Sequence, residues 1–246
     1  MTFNLRVDTE ADGINQFFRR TDRVLGAIRG EDPDLIGFQE ASDSMRVFMK
    51  EQLNEYTVIG CGCNRNYKGT SNLIAAKKKR FDLLGFDVRW LSPTPEIPGS
   101  TYGGDQSKYP RLCLIATLFD FESGKKVILM NTHTDHVGAN ARLSASHQLL
   151  EMVRKYCADP VILVGDMNAK PDTPEIQYLT SDASLPFADV TGQIPNTFHW
   201  WTNEPLGKVD YIFSNLPGIE SHIVEDVPVD GMFISDHNPV VASLDL

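Results

Sequence analysis

Val161-Ile162-Leu163-Val164-Gly165-Asp166-Met167-Asn168 is the stretch that decides the fold. Four consecutive aliphatic residues are too few for a core helix. Asp159-Pro160 before them and Gly165 after them are breakers, so the run predicts a central strand buried on both faces. A carboxylate and an amide, Asp166 and Asn168, stand where that strand ends. Strand ends are open to solvent yet rigidly held, which suits groups that must be placed accurately.

Working outward, Leu143, His147, Leu150 and Val153 predict a helix before this strand. Leu112–Phe119 and Lys126–Asn131 predict a hairpin joined across Asp120–Lys125. Residues 92–110, rich in Pro and Gly, predict a long loop. Towards the N-terminus, Ile14, Phe17, Phe18, Val24, Leu25 and Ile28 predict one helix over residues 13–29, with Asp12 as cap and Gly30 as its left-handed C′ residue. Leu35–Phe38 reads as a strand ending at Gln39-Glu40, followed by a helix from Ser42 that buries Met45, Phe48, Met49 and Leu53. Further strands are expected at Tyr56–Ile59, Asn72–Ala76, Val209–Phe213 and Val240–Leu244, and Thr173-Pro174 opens another helix. No repeat or linker divides the chain. The expectation is therefore a single domain over residues 1–246, an α/β or α+β sandwich with interleaved strands and helices.

The chain has 246 residues, enough to bury a sizeable core without a disulfide or metal staple. No apolar run approaches the roughly 20 residues of a membrane span. The start lacks the basic and apolar segments of a signal peptide, and four irregularly spaced cysteines fit reduced thiols, so a cytoplasmic protein is expected. The formal charge of −10 disfavours a broad grip on duplex nucleic acid. It leaves room for a phosphate compound reached through a cation.

Chemistry collects at four strand ends: Phe38-Gln39-Glu40, Asn131-Thr132-His133, Gly165-Asp166-Met167-Asn168 and Ser235-Asp236-His237. Asn4, Glu40, Asp166, Asn168 and Asp236 offer hard oxygen ligands, which favour Mg²⁺ or Mn²⁺ over Zn²⁺. His133 and His237 are free for proton transfer or charge stabilisation, and Asp210 can hold one imidazole in a fixed tautomer. These blocks, with Asn4 and Val209-Asp210-Tyr211-Ile212, resemble the endonuclease/exonuclease/phosphatase superfamily, in its order and along nearly the whole chain. Asp12-Gly13-x-Asn15, with His133-x-Asp135-His136 and Ala141-Arg142, resembles a bacterial branch related in pattern to the deadenylase-like members.

The resemblance implies an α+β fold, a four-layer α/β/β/α sandwich of two mixed sheets flanked by helices, as in deoxyribonuclease I. It implies metal-assisted, in-line hydrolysis of a phosphoester by water. Carried onto this chain, it makes Glu40 the principal metal ligand, supported by Asn4 and Asp236. Asp166 orients the water, Asn168 binds a non-bridging phosphate oxygen, and His237, steadied by Asp210, is the general base. His133 stabilises the pentacovalent phosphate or protonates the leaving oxygen.

Arg111, Arg142 and His136 are candidate substrate contacts, although either arginine could instead pair with a structural carboxylate. The expected partner is a phosphorylated small molecule or single-stranded nucleic acid; cleavage of duplex DNA or RNA is the alternative, and no protein partner is inferable. A zinc hydrolase of the metallo-β-lactamase type is a remote reading, because Asn131 stands where its motif needs a histidine. A non-catalytic binding module of the same fold is another. Two departures from the family pattern stand out. The strand carrying Asn4 is short, and no acid occupies residues 69–74 to orient His133. That leaves Ser71 or Asn72 as its neutral partner and an unshifted imidazole as the expectation.

Overall fold

A computed structural model describes residues 1–246. Twelve strands form two six-stranded sheets. The first holds β1 (Thr2–Asn4), β2 (Leu35–Ala41), β3 (Tyr56–Gly62), β4 (Ser71–Lys77), β11 (Gly218–Ile223) and β12 (Val240–Leu244), in the order β11-β12-β1-β2-β4-β3. The second holds β5 (Phe81–Trp90), β6 (Leu112–Asp120), β7 (Lys126–His133), β8 (Val161–Asp166), β9 (Ala188–Asp189) and β10 (Asp210–Ser214), in the order β5-β6-β7-β8-β10-β9. Each sheet has one parallel pair at its centre, β1 with β2 and β7 with β8, and antiparallel neighbours outside it.

Three apolar clusters make the layers. One packs the first sheet under α1 (Thr21–Glu31) and α2 (Asp43–Gln52). Another packs the second sheet under α3 (Ala139–Tyr156) and α4 (Pro174–Leu179). The third lies between the sheets, where Ile74 and Ala76 meet Leu114, Leu129, Ile162 and Val164. The result is the expected α/β/β/α sandwich.

At Gly37 the two sheets approach each other closely. A Cβ there would lie 2.3 Å from the Val164 side chain and 2.8 Å from that of Asn131. The space goes to Asn131, whose amide donates across the sandwich to the carbonyls of Phe38 (2.9 Å) and Leu73 (2.7 Å) and accepts from Gln39 (2.7 Å). Buried polar groups satisfied in this way fix one register of sheet on sheet.

The N-terminal region differs from expectation. Residues 13–29 are not one helix. Two 3₁₀ turns, Glu10–Asn15 and Phe17–Arg19, precede α1, and Gly13 takes φ 56°, outside helical geometry. Ile14 and Phe18, assigned to the buried face, are exposed. Thr9 rather than Asp12 caps the first turn. Helix α1 continues through Gly30, and Asp32 is the left-handed terminal residue at φ 45°. The short strand β1 is pinned on both sides, parallel to β2 and antiparallel to β12.

Topology gathers the site at one edge. The parallel strands β1, β2, β7 and β8 all end there, and antiparallel β10 begins there, with Asp210 opposite Asp166. Strand β12 runs against β1, so the Asp236-His237 segment before it arrives at the same edge.

Candidate active site

Asn4, at the end of β1, is the hub. Its Nδ2 donates to Asp166 Oδ2 at 2.9 Å and Glu40 Oε1 at 3.4 Å, and lies 3.5 Å from His237 Nε2. Its Oδ1 accepts from the Arg6 amide at 2.9 Å. Asn4 therefore turns its nitrogen to the carboxylates, so in this orientation it bridges acids and is not the oxygen ligand expected for a cation.

Glu40 sits where the β2–β4 pairing slips, at a bulge after Phe38, and has φ 61°. Asn168, just beyond β8, has φ 47°. Left-handed non-glycine residues cost about 1–3 kcal/mol each and are concentrated where a side chain must be aimed. The Glu40 carboxylate is held by the Val7 amide at 3.0 Å.

Asp166 is buried at the end of β8. It accepts from Asn4 and from the Asn168 amide (2.8 Å). Burial, reinforced by the Asp210 charge, raises its carboxyl to about 7. His237 Nδ1 donates to Asp210 Oδ2 at 2.8 Å, and its Nε2 lies 3.9 Å from Asp166 Oδ2. Burial opposes the imidazolium, but the Asp210 carboxylate overcomes it and lifts His237 to about 10. The Thr197 hydroxyl accepts from the amides of Val209 (3.0 Å) and Asp210 (3.1 Å), which fixes that dyad from behind.

His133, at the end of β7, behaves oppositely. Burial, then the positive charge of Arg111, pushes it well below the ordinary imidazole range. Its orienting partner is neither Ser71, which bonds Arg46 and Gly69, nor Asn72, which bonds the Leu112 carbonyl. It is Asn168, whose Nδ2 lies 2.9 Å from His133 Nε2 and donates also to the Thr134 carbonyl at 3.1 Å. Both hydrogens of that amide are thus engaged inside the protein, which leaves none for a phosphate oxygen as the site stands. Asp166 Oδ2 lies 3.5 Å from the same imidazole nitrogen. The expected unshifted imidazole is not found.

Asp236 is buried beside this group, with its Oδ2 3.9 Å from Arg6 Nε. Burial raises its carboxyl; the His237 cation opposes this, and the nearby Glu40 carboxylate adds to it. The half-buried Glu40 and the buried Asp236 carry like charges, a donor set that a divalent cation would relieve. Asp210 Oδ1 is a further buried oxygen without a partner. Asp166, Asp210 and His237 also present ligand atoms within 4.8 Å of one another. His237 Nδ1 is spent on Asp210 there, whereas Glu40 and Asp236 offer carboxylate oxygens alone, the donor type that a hard ion prefers.

Of the three outer candidates, Arg142 pairs with the Glu175 carboxylate (2.8 Å) and the Asp135 carbonyl (3.1 Å), the structural alternative. Arg111 donates to His136 Nδ1 at 2.9 Å, and its buried Nε has no hydrogen-bond partner. Asp135 accepts from Ser107, Val137 and Gly138, so Asp135 and His136 belong to a loop network and do not form a zinc site. Arg6 was missed in the sequence. It pairs with Asp12 (2.9 and 3.1 Å) and stacks on Trp200, 4.7 Å from the ring centre. A cavity of about 370 Å³, lined by Met1, Asp34, Phe81, Ile162 and Leu244, is a separate feature and includes none of these groups.

Among known proteins, residues 1–237 match the Endonuclease/Exonuclease/phosphatase family model. A curated relative, the Uncharacterized protein L388 of Acanthamoeba polyphaga mimivirus, is 27% identical over 167 residues; the match covers 65% of this chain and 62% of the viral protein's length. An endonuclease/exonuclease/phosphatase from Bacteroides vulgatus superposes with a TM-score of 0.92 at 27% identity, over 100% of this chain and 97% of its own. The mannosyl-6-phosphatase Bt3783 of Bacteroides thetaiotaomicron shares the fold, with a TM-score of 0.89 at 23% identity, over 100% and 98%. With the sandwich, the edge and the family model in agreement, the chain belongs to the Endonuclease/Exonuclease/phosphatase family.

Proposed function

We propose that this protein is a phosphoester hydrolase dependent on Mg²⁺ or Mn²⁺, acting as one domain on a small phosphorylated compound. Family members are phosphoester hydrolases and typically use divalent metals. The observation that carries the reading is that Asn4, Glu40, His133, Asp166, Asp210 and His237, from segments up to 233 residues apart, are linked in one chain of pairwise polar contacts of 2.8 to 3.5 Å.

Asp166 aims the attacking water and takes its proton as the water oxygen bonds to phosphorus and the bond to the alcohol oxygen breaks, the departing oxygen taking a proton from solvent. A carboxyl poised near neutrality suits that task. The family resemblance implies His237 for this task. Its strong hold on its own proton makes it the charge that steadies the non-bridging oxygens, with Asp210 fixing its tautomer. Asn168 acts through His133 by holding it. Glu40 and Asp236 would hold the cation, which when bound polarises a phosphoryl oxygen.

The charge of −10 and the rim residue Arg111 favour a small anion. Bt3783 makes a sugar phosphate the first compound to try. The four cysteines are free thiols, which fits a reducing, cytoplasmic setting. A second reading, single-stranded nucleic acid, rests on Trp200, which is half-exposed and offers a face for base stacking.

The test is a substrate panel with added Mg²⁺ or Mn²⁺ and with chelator, covering a hexose 6-phosphate, a dinucleotide and a single-stranded oligonucleotide. Turnover of the sugar phosphate that stops with chelator and falls about 10²-fold or more in Glu40→Gln supports the proposal. Full turnover without metal refutes it, and turnover of the oligonucleotide alone selects the second reading.

A further inference from the structure

Arg20 is fully buried and makes no direct ion pair, although the charges of Asp236, Asp12 and Asp8 act on it from beyond contact distance. Its Nε donates to the Asn15 carbonyl at 2.7 Å and its Nη1 to that of Ile234 at 2.5 Å. Its Nη2 donates to the carbonyls of Leu5 (2.5 Å) and Arg6 (3.1 Å). Phe17 and Trp201 pack on the guanidinium at 5.4 and 5.3 Å. A buried cation without an ion pair is costly, so its retention asks for an account.

The account lies in which carbonyls it holds. Leu5 and Arg6 directly follow Asn4, and Ile234 lies two residues before Asp236. Ser235 Oγ donates to the Asn4 carbonyl at 2.7 Å at the same crossing. Asn15, the third acceptor, takes the Phe233 amide on its Oδ1 at 2.9 Å. One planar fork therefore ties three chain segments together, and two of them carry groups of the catalytic edge. No single-atom donor reaches all four diverging carbonyls.

We propose that Arg20 is a positioning residue for catalysis: it sets the spacing between the Asn4–Arg6 segment, which ends and follows β1, and the Asp236–His237 segment, which precedes β12. The inference rests on the hydrolase reading, and goes beyond it by assigning the alignment of the site to a side chain that does not face the substrate.

The test compares Arg20→Met and Arg20→Lys with Leu149→Ala. Leu149 is buried in the core of the second sheet, so its truncation lowers stability away from this crossing. In the folded proteins, kcat should fall about 30- to 100-fold in Arg20→Met, with KM within about threefold, because small misplacements cost rate more than binding. Arg20→Lys keeps the charge and loses the fork, and should recover only part of kcat. Leu149→Ala should melt earlier with kcat unchanged. Mn²⁺ binding followed by calorimetry should weaken in both Arg20 variants, and hydrogen exchange should quicken at residues 5–7 and 234–237 alone.

A kcat within about twofold of Leu149→Ala in either folded Arg20 variant overturns the proposal. If Arg20→Met does not fold, Arg20→Lys decides. If the wild type hydrolyses no phosphoester, the hydrolase reading fails by itself; unchanged Mn²⁺ binding and exchange at 5–7 and 234–237 would then overturn the positioning role separately.

Discussion

The two histidines at the catalytic edge share their burial and differ in the charges around them. His133 is 5% exposed and His237 is 6% exposed; both follow strands or precede them at the same end of the sandwich, and both approach Asp166 Oδ2. Yet burial drives the first far down as an acid, while the second rises to about 10. The chief difference is Asp210, 2.8 Å from His237, against a neutral Asn168, 2.9 Å from His133, with the Arg111 charge adding to the fall of His133. A carboxylate makes its imidazole a resident cation, and an amide makes its imidazole a neutral, oriented ring. Equal burial thus yields opposite charge.

The hardest way to break this comparison is to remove the acid. Asp210→Asn keeps a hydrogen-bonding group but withdraws the charge, so His237 loses its proton near neutrality. Activity should fall about 10³-fold or more, the scale seen when the acid of such a dyad is neutralised. Steady-state rates on one substrate check it, and a loss below tenfold would show that the dyad does not matter.

On the other side the effects are smaller. His133→Ala should cost about 10²-fold, the scale of one lost polar group at a developing charge. His133→Gln, which can meet Asn168 with its own amide, should lose less. Asn168→Ala combined with His133→Ala should add little to His133→Ala alone, since Asn168 acts through the ring. Full additivity would assign Asn168 a contact of its own.

The smallest effect is on stability. His237 has its folded value raised above the unfolded one, so it stabilises fully below about pH 6.5, and that contribution is lost as pH rises through about 10. Asp166, also raised, loses its contribution between about pH 4 and 7. Both slopes run the same way. Lowered groups such as His133 and the N-terminal amine slope the other way, so the reading is differential: the stability that the metal-free protein holds over Asp210→Asn should shrink from about pH 7 to 10. Thermal melts of both proteins across pH read this directly; a gap that widens above pH 7 would contradict it.

Much of this edge is legible in the sequence because strand ends carry it. Glu40, His133 and Asp166 each close an apolar run, so period and breaker reading place them before any contact is known. What escapes is set by tertiary contacts. Strand β5 mixes Asp82, Gly85 and Asp87 with apolar residues because it is an edge strand, and β11 is polar and exposed for the same reason. The helix expected over residues 13–29 fails at Gly13 and Asn15, where the chain bends to deliver backbone groups to Arg20 and Phe233. Arg20 itself left a trace: it falls three residues after Phe17 and four before Val24, on the face that becomes buried. A charge at an apolar position is the signal that marks it. Nothing comparable announces that Asn4 turns its nitrogen inward, or that Asn168 serves His133, because amide orientation depends on neighbours from four other segments.

The most direct test of the division between the two rings is a titration of ¹⁵N-labelled histidines by NMR in the metal-free protein, with His133→Gln and Asp210→Asn used for assignment. The account predicts that one buried imidazole stays doubly protonated from pH 5 to about 9 and releases its proton near 10, and that this resonance is the one moved by Asp210→Asn. It predicts a second that is neutral throughout, with its proton on Nδ1 and its Nε2 accepting from Asn168. Two imidazoles titrating together between pH 6 and 7 would contradict it.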